Sequence, residues 1–282
     1  MVESTFQLTR GFGPKRERKL WQAGVASWQQ LPAASSELGL TARARDILCT
    51  AIDDAASALV RRDADALAAL LPSGEHWRLY DAFGADAAYL DIETSDDVIG
   101  FEGISAIGVL HREVPTLLLG GRDLHRFPEL ARGWPMLVSF NGLSFDVPIL
   151  RRAFPSWRPP VCHVDLRHVL ARLGLHGGLK QIERRLPSLH LSRPEHLAGL
   201  GGGDTGWLYR RGRDGDRQAL RRFAEYNLYD AVNLRTLLAY AYNRMLETES
   251  RGAPALRDVV RSVDVPERGD VLYDVSKILL AL

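Results

Sequence analysis

The sequence predicts an α/β fold, in which a mixed five-stranded sheet flanked by helices follows an all-helical N-terminal region. Three observations lead to this prediction. Apolar residues recur at helical spacing through about the first 75 residues, β-type runs begin near residue 85, and helical segments then alternate with further β-type runs. Three antiparallel strands followed by alternating strands and helices are typical of a mixed sheet with helices on its faces.

Residues 1–78 are predicted to form the helical N-terminal region. Pro14 follows the turn Gly11-Phe12-Gly13 and opens a first helix, where its missing N–H costs nothing. A second helix begins at Thr41, and Asp63 is expected to cap a short third helix that runs to Leu71. These helices precede the first β-type run of the chain.

A sheet domain is predicted over residues 84–248, and residues 249–282 form a tail without an assigned role. The first three strands are expected to form an antiparallel meander, and Gly201-Gly202-Gly203 predicts a flexible loop. The predicted strands are Ala88–Thr94, Gly103–His111, Val114–Leu119, Met136–Phe140 and Val161–Leu166. The predicted helices of this domain are Ser144–Phe154, Leu166–Leu173, Leu179–Leu186 and Asp216–Glu247.

The composition is that of a globular protein, because 46% hydrophobic content suffices for a core. The net charge is only +1, so any surface for nucleic acid must be local. Cys49 and Cys162, the two cysteines, cannot build a disulfide framework or a four-thiolate zinc site. The sequence also lacks a signal-peptide pattern and an apolar run of ~18 residues. We therefore expect a cytoplasmic protein that does not enter a membrane.

The strongest chemical signal lies in the predicted strand that contains Asp91 and Glu93. Side chains alternate along a strand, so these two acids share one face, with Cα atoms about 6.6 Å apart. Two charged carboxylates that close repel each other, and a divalent cation is the simplest compensation in a poorly hydrated site. An edge strand whose acids face water is the alternative.

Two further motifs place acids at helices. Asp146 lies at the start of a predicted helix, after the turn Asn141-Gly142 and with Ser144 as the expected N-cap. An ordinary turn followed by a favourable acid in the first helical turn would explain that motif equally well. Tyr226 and Asp230 are four residues apart in a helix and so share a face. An exposed Tyr-Asp pair is the alternative there, although Asp in mid-helix is a poor helix former.

The ordered set Asp91, Glu93, Asp146 and Asp230 resembles the DnaQ-like superfamily of 3′–5′ exonucleases, which have a ribonuclease-H-like fold. Tyr226 matches the DEDDy branch; the DEDDh branch would carry histidine where this chain has Glu225. The resemblance covers roughly residues 85–245. The stretch Gly178–Glu183 and the helical leader resemble the YprB-like predicted bacterial exonucleases.

The resemblance implies a site for two ions, and Mg²⁺ or Mn²⁺ suits ligands that are all carboxylate oxygens. Asp91 would bridge the ions, Glu93 and Asp230 would complete the ion on the nucleophile side, and Asp146 would hold the other largely through water. Tyr226 would orient the attacking water, because phenols titrate near ~10 and are poor bases at neutral pH.

The nucleic-acid contacts are predicted from weaker patterns. Gly11–Val25 resembles part of a helix-hairpin-helix element, which would bind phosphate through backbone N–H groups; a simple basic amphipathic helix is the alternative. Basic and aromatic residues before the last long helix are either a track for a single strand or a solvated charged face. The candidate contacts are Lys15, Lys19, Asn141, Lys180, Trp207, Arg210 and Arg211.

These observations favour a metal-dependent 3′–5′ exonuclease that acts on single-stranded or frayed nucleic-acid ends. A non-catalytic nucleic-acid-binding module and a structure-specific endonuclease on the same fold are the alternatives. The sequence does not distinguish DNA from RNA as the substrate, and it does not indicate an oligomeric state.

Overall fold

The computed structural model describes residues 1–31, 39–95, 101–267, 269 and 275–281. Parts of the predicted N-terminal region, sheet domain and tail, at 32–38, 96–100, 268, 270–274 and 282, lie outside the described residues. The chain divides into two compact units. The first comprises residues 1–85, 160–164 and 239–264, and the second residues 86–159, 165–238 and 265–282.

A mixed five-stranded sheet with strand order β3-β2-β1-β4-β5 confirms the predicted fold class. Strand β1 pairs with β2 in antiparallel and with β4 in parallel orientation, and β2 and β3 are antiparallel. The predicted meander is thereby confirmed. The strands are β1 Ala87–Thr94, β2 Ile104–His111, β3 Val114–Leu119, β4 Met136–Ser139 and β5 His163–Asp165.

The helices begin where the sequence supplies a cap in several cases. Pro14 is the first residue of α1, the Thr41 side chain accepts a hydrogen bond from the Ala44 N–H, and Asp63 accepts one from the Ala66 N–H. The helices are α1 Pro14–Gln22, α2 Ala42–Val60, α3 Ala64–Ala69, α4 Tyr80–Phe83, α5 Phe127–Leu130, α6 Asp146–Ala153, α7 Leu166–Arg172, α8 Leu179–Arg185, α9 Gly202–Arg213, α10 Arg217–Glu249, α11 Pro254–Val259 and α12 Val275–Ala281.

Two local predictions were wrong. Ser144 is not an N-cap, because residues 142–145 form a turn in which the Val147 N–H bonds to the Gly142 carbonyl, and α6 begins only at Asp146. Gly201-Gly202-Gly203 is not a loop, since Gly201 is the N-cap of α9. The Asp204 carboxylate accepts a hydrogen bond from the Gly201 N–H and so stabilises this helix start.

In the second unit, apolar layers cover the sheet on both sides. Leu90 and Ile92 of β1 pack in one cluster with Phe127 and Leu150. A second cluster contains Ala106, Leu117 and Leu119 from the sheet, Phe223, Ala224 and Leu228 from α10, and Val275 from α12. Side chains that alternate with Leu90 and Ile92 along β1 therefore point toward α10.

In the first unit, a buried ion pair joins α1 to the segment that precedes α4. Arg78 Nη2 lies 3.0 Å from Glu17 Oε2, and both side chains are 1% exposed. Glu17 also accepts a hydrogen bond from the Phe6 N–H at 2.7 Å. Buried charges of this kind are tolerated because each is paired and hydrogen-bonded.

The segment before the Gly11–Gly13 turn contains a single 3-10 turn, Val2–Ser4.

Among the residues that the structure describes, no helix has both the length and the apolar character required to cross a membrane.

Candidate active site

Three of the predicted acids converge in the second unit. Asp91 and Glu93 lie on β1 and Asp230 on α10, and each offers a carboxylate oxygen such that these oxygens all lie within 4.8 Å of one another. Strand β1 is central in the sheet, so the alternative of an edge strand with acids in water is wrong. The cluster forms because α10 covers the β1 face that carries the acids.

Hydrogen bonds from two neighbouring elements orient the β1 carboxylates. Asn227 Nδ2 donates to Asp91 Oδ2 at 2.8 Å and to the Asp91 carbonyl at 3.2 Å. Thr205 Oγ1, on α9, donates to Glu93 Oε2 at 2.8 Å. The other oxygen of each carboxylate remains for a further partner. Residues that hydrogen-bond to metal ligands orient those ligands in this way.

The close approach of α10 to the sheet depends on Gly108 of β2. Gly108 pairs with Asp91 across the antiparallel ladder, and a Cβ added at Gly108 would collide with Asn227 Oδ1. A glycine is therefore required for Asn227 to reach Asp91.

Asp146 joins the acids from a different direction. It is the first residue of α6, is 5% exposed, and accepts a hydrogen bond from the Ile92 N–H at 3.2 Å. That contact places it against β1 between the two strand acids. Asp146 lies outside the three-carboxylate cluster.

The loop that delivers Asp146 is held by Asp165 at the end of β5. Asp165 accepts hydrogen bonds from the Asn141 N–H at 2.8 Å and the Leu143 N–H at 3.1 Å. Asn141 adopts a left-handed backbone conformation with φ of 68°, and its side-chain oxygen accepts a hydrogen bond from Arg167 at 2.6 Å. Asn141 was predicted as a nucleic-acid contact; its contacts with the described residues Asp165 and Arg167 hold this loop in place.

Tyr226 is buried, with 1% exposure, one helical turn before Asp230. Its hydroxyl has no hydrogen-bond partner among the described residues. Lys180 Nζ lies 3.8 Å from the centroid of the Tyr226 ring. A buried hydroxyl without a partner is unusual in a folded protein and points to a water or ligand position beside it.

Two cations border the acids. Lys180 Nζ lies 3.5 Å from Asp230 Oδ2, so this predicted nucleic-acid contact is part of the site. Arg193 forms ion pairs with Asp230 and with Glu183, the latter at 3.1 Å, and donates to the Tyr226 carbonyl at 3.3 Å. Only one arginine and one lysine thus balance the acidic charge in these contacts.

Burial makes the carboxylates hard to ionise. It raises the pKa of Glu93 to about 8, with repulsion by Asp230 as the next cause, and raises the pKa of Asp146 to about 7. The pKa of Asp91 lies well above its usual value because of burial and then repulsion by Asp230 and Glu93. A hard divalent cation fits this donor set, since it would compensate the charges with oxygen ligands that Mg²⁺ and Mn²⁺ prefer.

The remaining predicted contacts are on α9 and α1. Trp207, Arg210 and Arg211 are on α9, where Trp207 is 49% exposed and the Arg211 guanidinium lies 4.9 Å from its ring centroid. Arg211 also pairs with Asp216 at 2.6 Å. Lys15 and Lys19 are exposed on α1, in the first unit. The contacts described for these residues do not include the acidic cluster.

Sequence reasoning missed several residues of the site. Arg193 and Thr205 belong to segments with no recognisable motif, and Glu183 ends the stretch Gly178–Glu183 but was not assigned a role. Asn227 offered a local signal, because asparagine is a poor residue for the middle of a helix and this one directly follows Tyr226. Asn233 offered the same signal; its Nδ2 donates to Glu183 Oε1 at 2.7 Å.

Comparison with known proteins identifies one family. The model of the RNase_H superfamily matches residues 88–242, which is more than half of the chain and contains Asp91, Glu93, Asp146, Tyr226 and Asp230. No curated protein and no solved structure matches the chain.

Proposed function

The chain belongs to the RNase H superfamily, and on that premise we propose that it is a metal-dependent 3′–5′ exonuclease of the DnaQ-like DEDDy branch, similar to the YprB-like group. Superfamily membership suggests a nuclease that hydrolyses phosphodiester bonds and uses divalent metals. The finer assignment is carried by one observation: the buried Tyr226 hydroxyl has no partner among the described residues, and the Tyr226 ring shares Lys180 as a neighbour with Asp230 of the three-carboxylate cluster. In this proposal residues 84–248 carry the exonuclease, and residues 1–78 and 249–282 flank it.

Asp91, Glu93, Asp146 and Asp230 would hold two Mg²⁺ or Mn²⁺ ions. When bound, such ions lower the pKa of a coordinated water and stabilise the departing alkoxide. Asn227 and Thr205 keep the Asp91 and Glu93 carboxylates oriented toward the cluster. Precise placement matters, because an error of about 1 Å in a reacting group can cost roughly 10²-fold in rate.

Tyr226 is assigned to position the attacking water. Its hydroxyl is buried and has no partner among the described residues, so it can donate to or accept from a water and would restrict the direction of attack. The water oxygen bonds to phosphorus, and the bond from phosphorus to the 3′ oxygen of the preceding nucleotide breaks. One nucleoside 5′-monophosphate is released, and the shortened strand ends in a new 3′ hydroxyl.

The test is hydrolysis of end-labelled single-stranded DNA and RNA, side by side, with Mg²⁺ or Mn²⁺. We expect stepwise release of mononucleotides from the 3′ end by the wild-type protein. Asp91→Asn and Asp230→Asn should abolish release, and Tyr226→Phe should slow it by roughly 10²-fold. Glu129→Gln, which changes an exposed carboxylate on α5, is the matched control and should retain wild-type activity.

Three outcomes would overturn the proposal. Full activity of Asp91→Asn would remove the acidic cluster from the chemistry. Cleavage of a circular single strand would indicate an endonuclease. Salt-sensitive binding by wild-type protein without release of any nucleotide, with either metal and either polymer, would indicate a non-catalytic binding module.

A further inference from the structure

A cavity of about 840 Å³ lies in the second unit, between the first turns of α10, helix α12 and the loop that follows β3. Its volume is within the range of about 300–1,000 Å³ that is typical of ligand sites. We call it the arginine groove, because its lining includes Arg122, Arg217, Arg221 and Arg222, together with the apolar side chains of Leu220 and Leu279. The proposed exonuclease chemistry does not use these residues.

The arginine groove carries excess positive charge. Glu225 is the one carboxylate among its lining residues, and it is engaged by Arg221 at 3.2 Å and by His196. Arg122 and Arg217 are exposed and have no ion-pair partner in the part of the chain that the structure describes. Two guanidinium groups at one cavity are therefore available to an anionic ligand.

Helix α12 forms one wall of the groove and is anchored there. Arg221 donates to Ser276 Oγ at 2.9 Å, and Val275, with 3% exposure, packs in the apolar cluster that contains Phe223 and Leu228. Leu279 is partly buried against the same cluster. The C-terminal segment thus contributes an apolar surface opposite the arginines of α10.

Helix α10 carries residues of both the groove and the acidic site. Arg222, Tyr226 and Asp230 follow one another at intervals of four residues, so they share a helix face and are separated by about 6 Å per step. A second connection runs through the segment 193–196: Arg193 contacts Asp230 and the Tyr226 carbonyl, and Arg222 Nε donates to the His196 carbonyl at 3.0 Å.

We propose that the arginine groove holds the single-stranded segment of the nucleic-acid substrate that adjoins the reacting 3′ end. The guanidinium groups contact phosphates, and Leu220 and Leu279 pack against sugars and base faces. Arginines spaced by helical turns beside an apolar wall suit a polyanion with regularly repeated charges, and the connection to Tyr226 places one end of that polyanion at the acids. This assignment rests on the proposed function.

The test compares two double variants of the full chain that change the net charge equally. Arg122→Glu with Arg217→Glu alters the groove. Arg112→Glu with Arg132→Glu is the control, since both residues are exposed and Arg112 lies at the β2–β3 hairpin turn, at the other end of β3 from Arg122. Each double variant is also made in an Asp91→Asn background, which prevents hydrolysis during the binding measurement. Binding of a fluorescent oligonucleotide of about 20 nucleotides is then measured by anisotropy over a series of salt concentrations.

We expect the groove variant to raise the Kd by at least about tenfold and to reduce the slope of log K against log salt by about 1.4, because each lost phosphate contact to a single strand contributes about 0.7. With Asp91 intact, kcat/KM should fall much more for the long oligonucleotide than for a dinucleotide, which is too short to span both sites. The control should stay within about twofold of the parent protein. Arg122→Gln with Arg217→Gln, which introduces no negative charge, should show the same direction of change.

An unchanged Kd and salt slope in the groove variant, or an equal loss in the control, would overturn the assignment. Complete displacement of the oligonucleotide by AMP at equimolar concentration would also overturn it, since that result identifies a mononucleotide site. The two proposals can fail separately. If the wild-type protein releases no nucleotide but the groove variant binds the oligonucleotide more weakly, only the proposed exonuclease activity is refuted. Hydrolysis without any effect of the groove variant would refute only the groove.

Discussion

Replacement of Glu93 by Gln should make the metal-free protein more stable at neutral pH. Burial, followed by repulsion from Asp230, raises the pKa of Glu93 from 4.5 to about 8 in the folded chain. Between these two values the folded protein keeps a proton that the unfolded chain releases. The stability that this group contributes is therefore fully present below about pH 4.5 and is lost as the pH rises toward about 8.

The magnitude follows from the linkage relation. With those pKa values, the free energy of unfolding contributed by Glu93 falls by about 2 to 3 kcal/mol between about pH 5 and about pH 7. Glutamine has no proton to lose, and its side-chain oxygen can still accept the Thr205 hydrogen bond. Relative to wild type, Glu93→Gln should therefore gain about 2 to 3 kcal/mol over the same pH change.

The measurement is urea denaturation in EDTA at about pH 5 and pH 7, followed by tryptophan fluorescence. Glu129→Gln serves as the control because Glu129 is exposed on α5, and it should follow wild type at both pH values. Added Mn²⁺ should stabilise wild type more than Glu93→Gln, since the charged carboxylate is the better ligand. Equal losses of stability in wild type and Glu93→Gln between the two pH values would refute the reasoning.

Three further substitutions test the support of the site. Gly108→Ala should displace Asn227 and lower hydrolysis by roughly 10²-fold, while circular dichroism remains that of the folded protein. Asp165→Asn removes one of two acceptors for the loop before α6 and should cost about 1 to 2 kcal/mol in urea denaturation, with a parallel loss of activity. Arg193→Gln leaves Glu183 buried without its cation and should lower the stability of metal-free protein by about 3 kcal/mol; unchanged stability would contradict the buried ion pair.

Local signals predicted much of the fold. Asp63 caps α3 as expected, and Thr41, where the second helix was predicted to begin, caps α2, because capping depends on a side chain and an N–H only three residues away. The meander of β1, β2 and β3 was also predictable, since short connections and alternating apolar residues define neighbouring strands. The helix start at Asp146 was misplaced by two residues, because Asp165, distant in sequence, holds the preceding turn.

The acids of the candidate site could be selected from the sequence, whereas their supporting residues could not. Asp91 and Glu93 share a face because of strand geometry, and Tyr226 and Asp230 because of helix geometry. Thr205 and Arg193 carry no such periodic signal. Their roles depend on how α9 and the segment before it fold over the cluster, and only long-range packing determines that.

The sequence by itself determined the order of the five strands, the face of β1 that carries two carboxylates and the acids that are predicted to hold a cation. These properties follow from periodicity and charge, which are local. The tertiary structure decided that β1 is central, that Gly108 admits α10 close enough for Asn227 to reach Asp91, and that α10 and α12 line an arginine-rich groove. These properties depend on which distant surfaces pack together, because burial and hydrogen bonding across the fold select a partner that spacing along the chain does not specify.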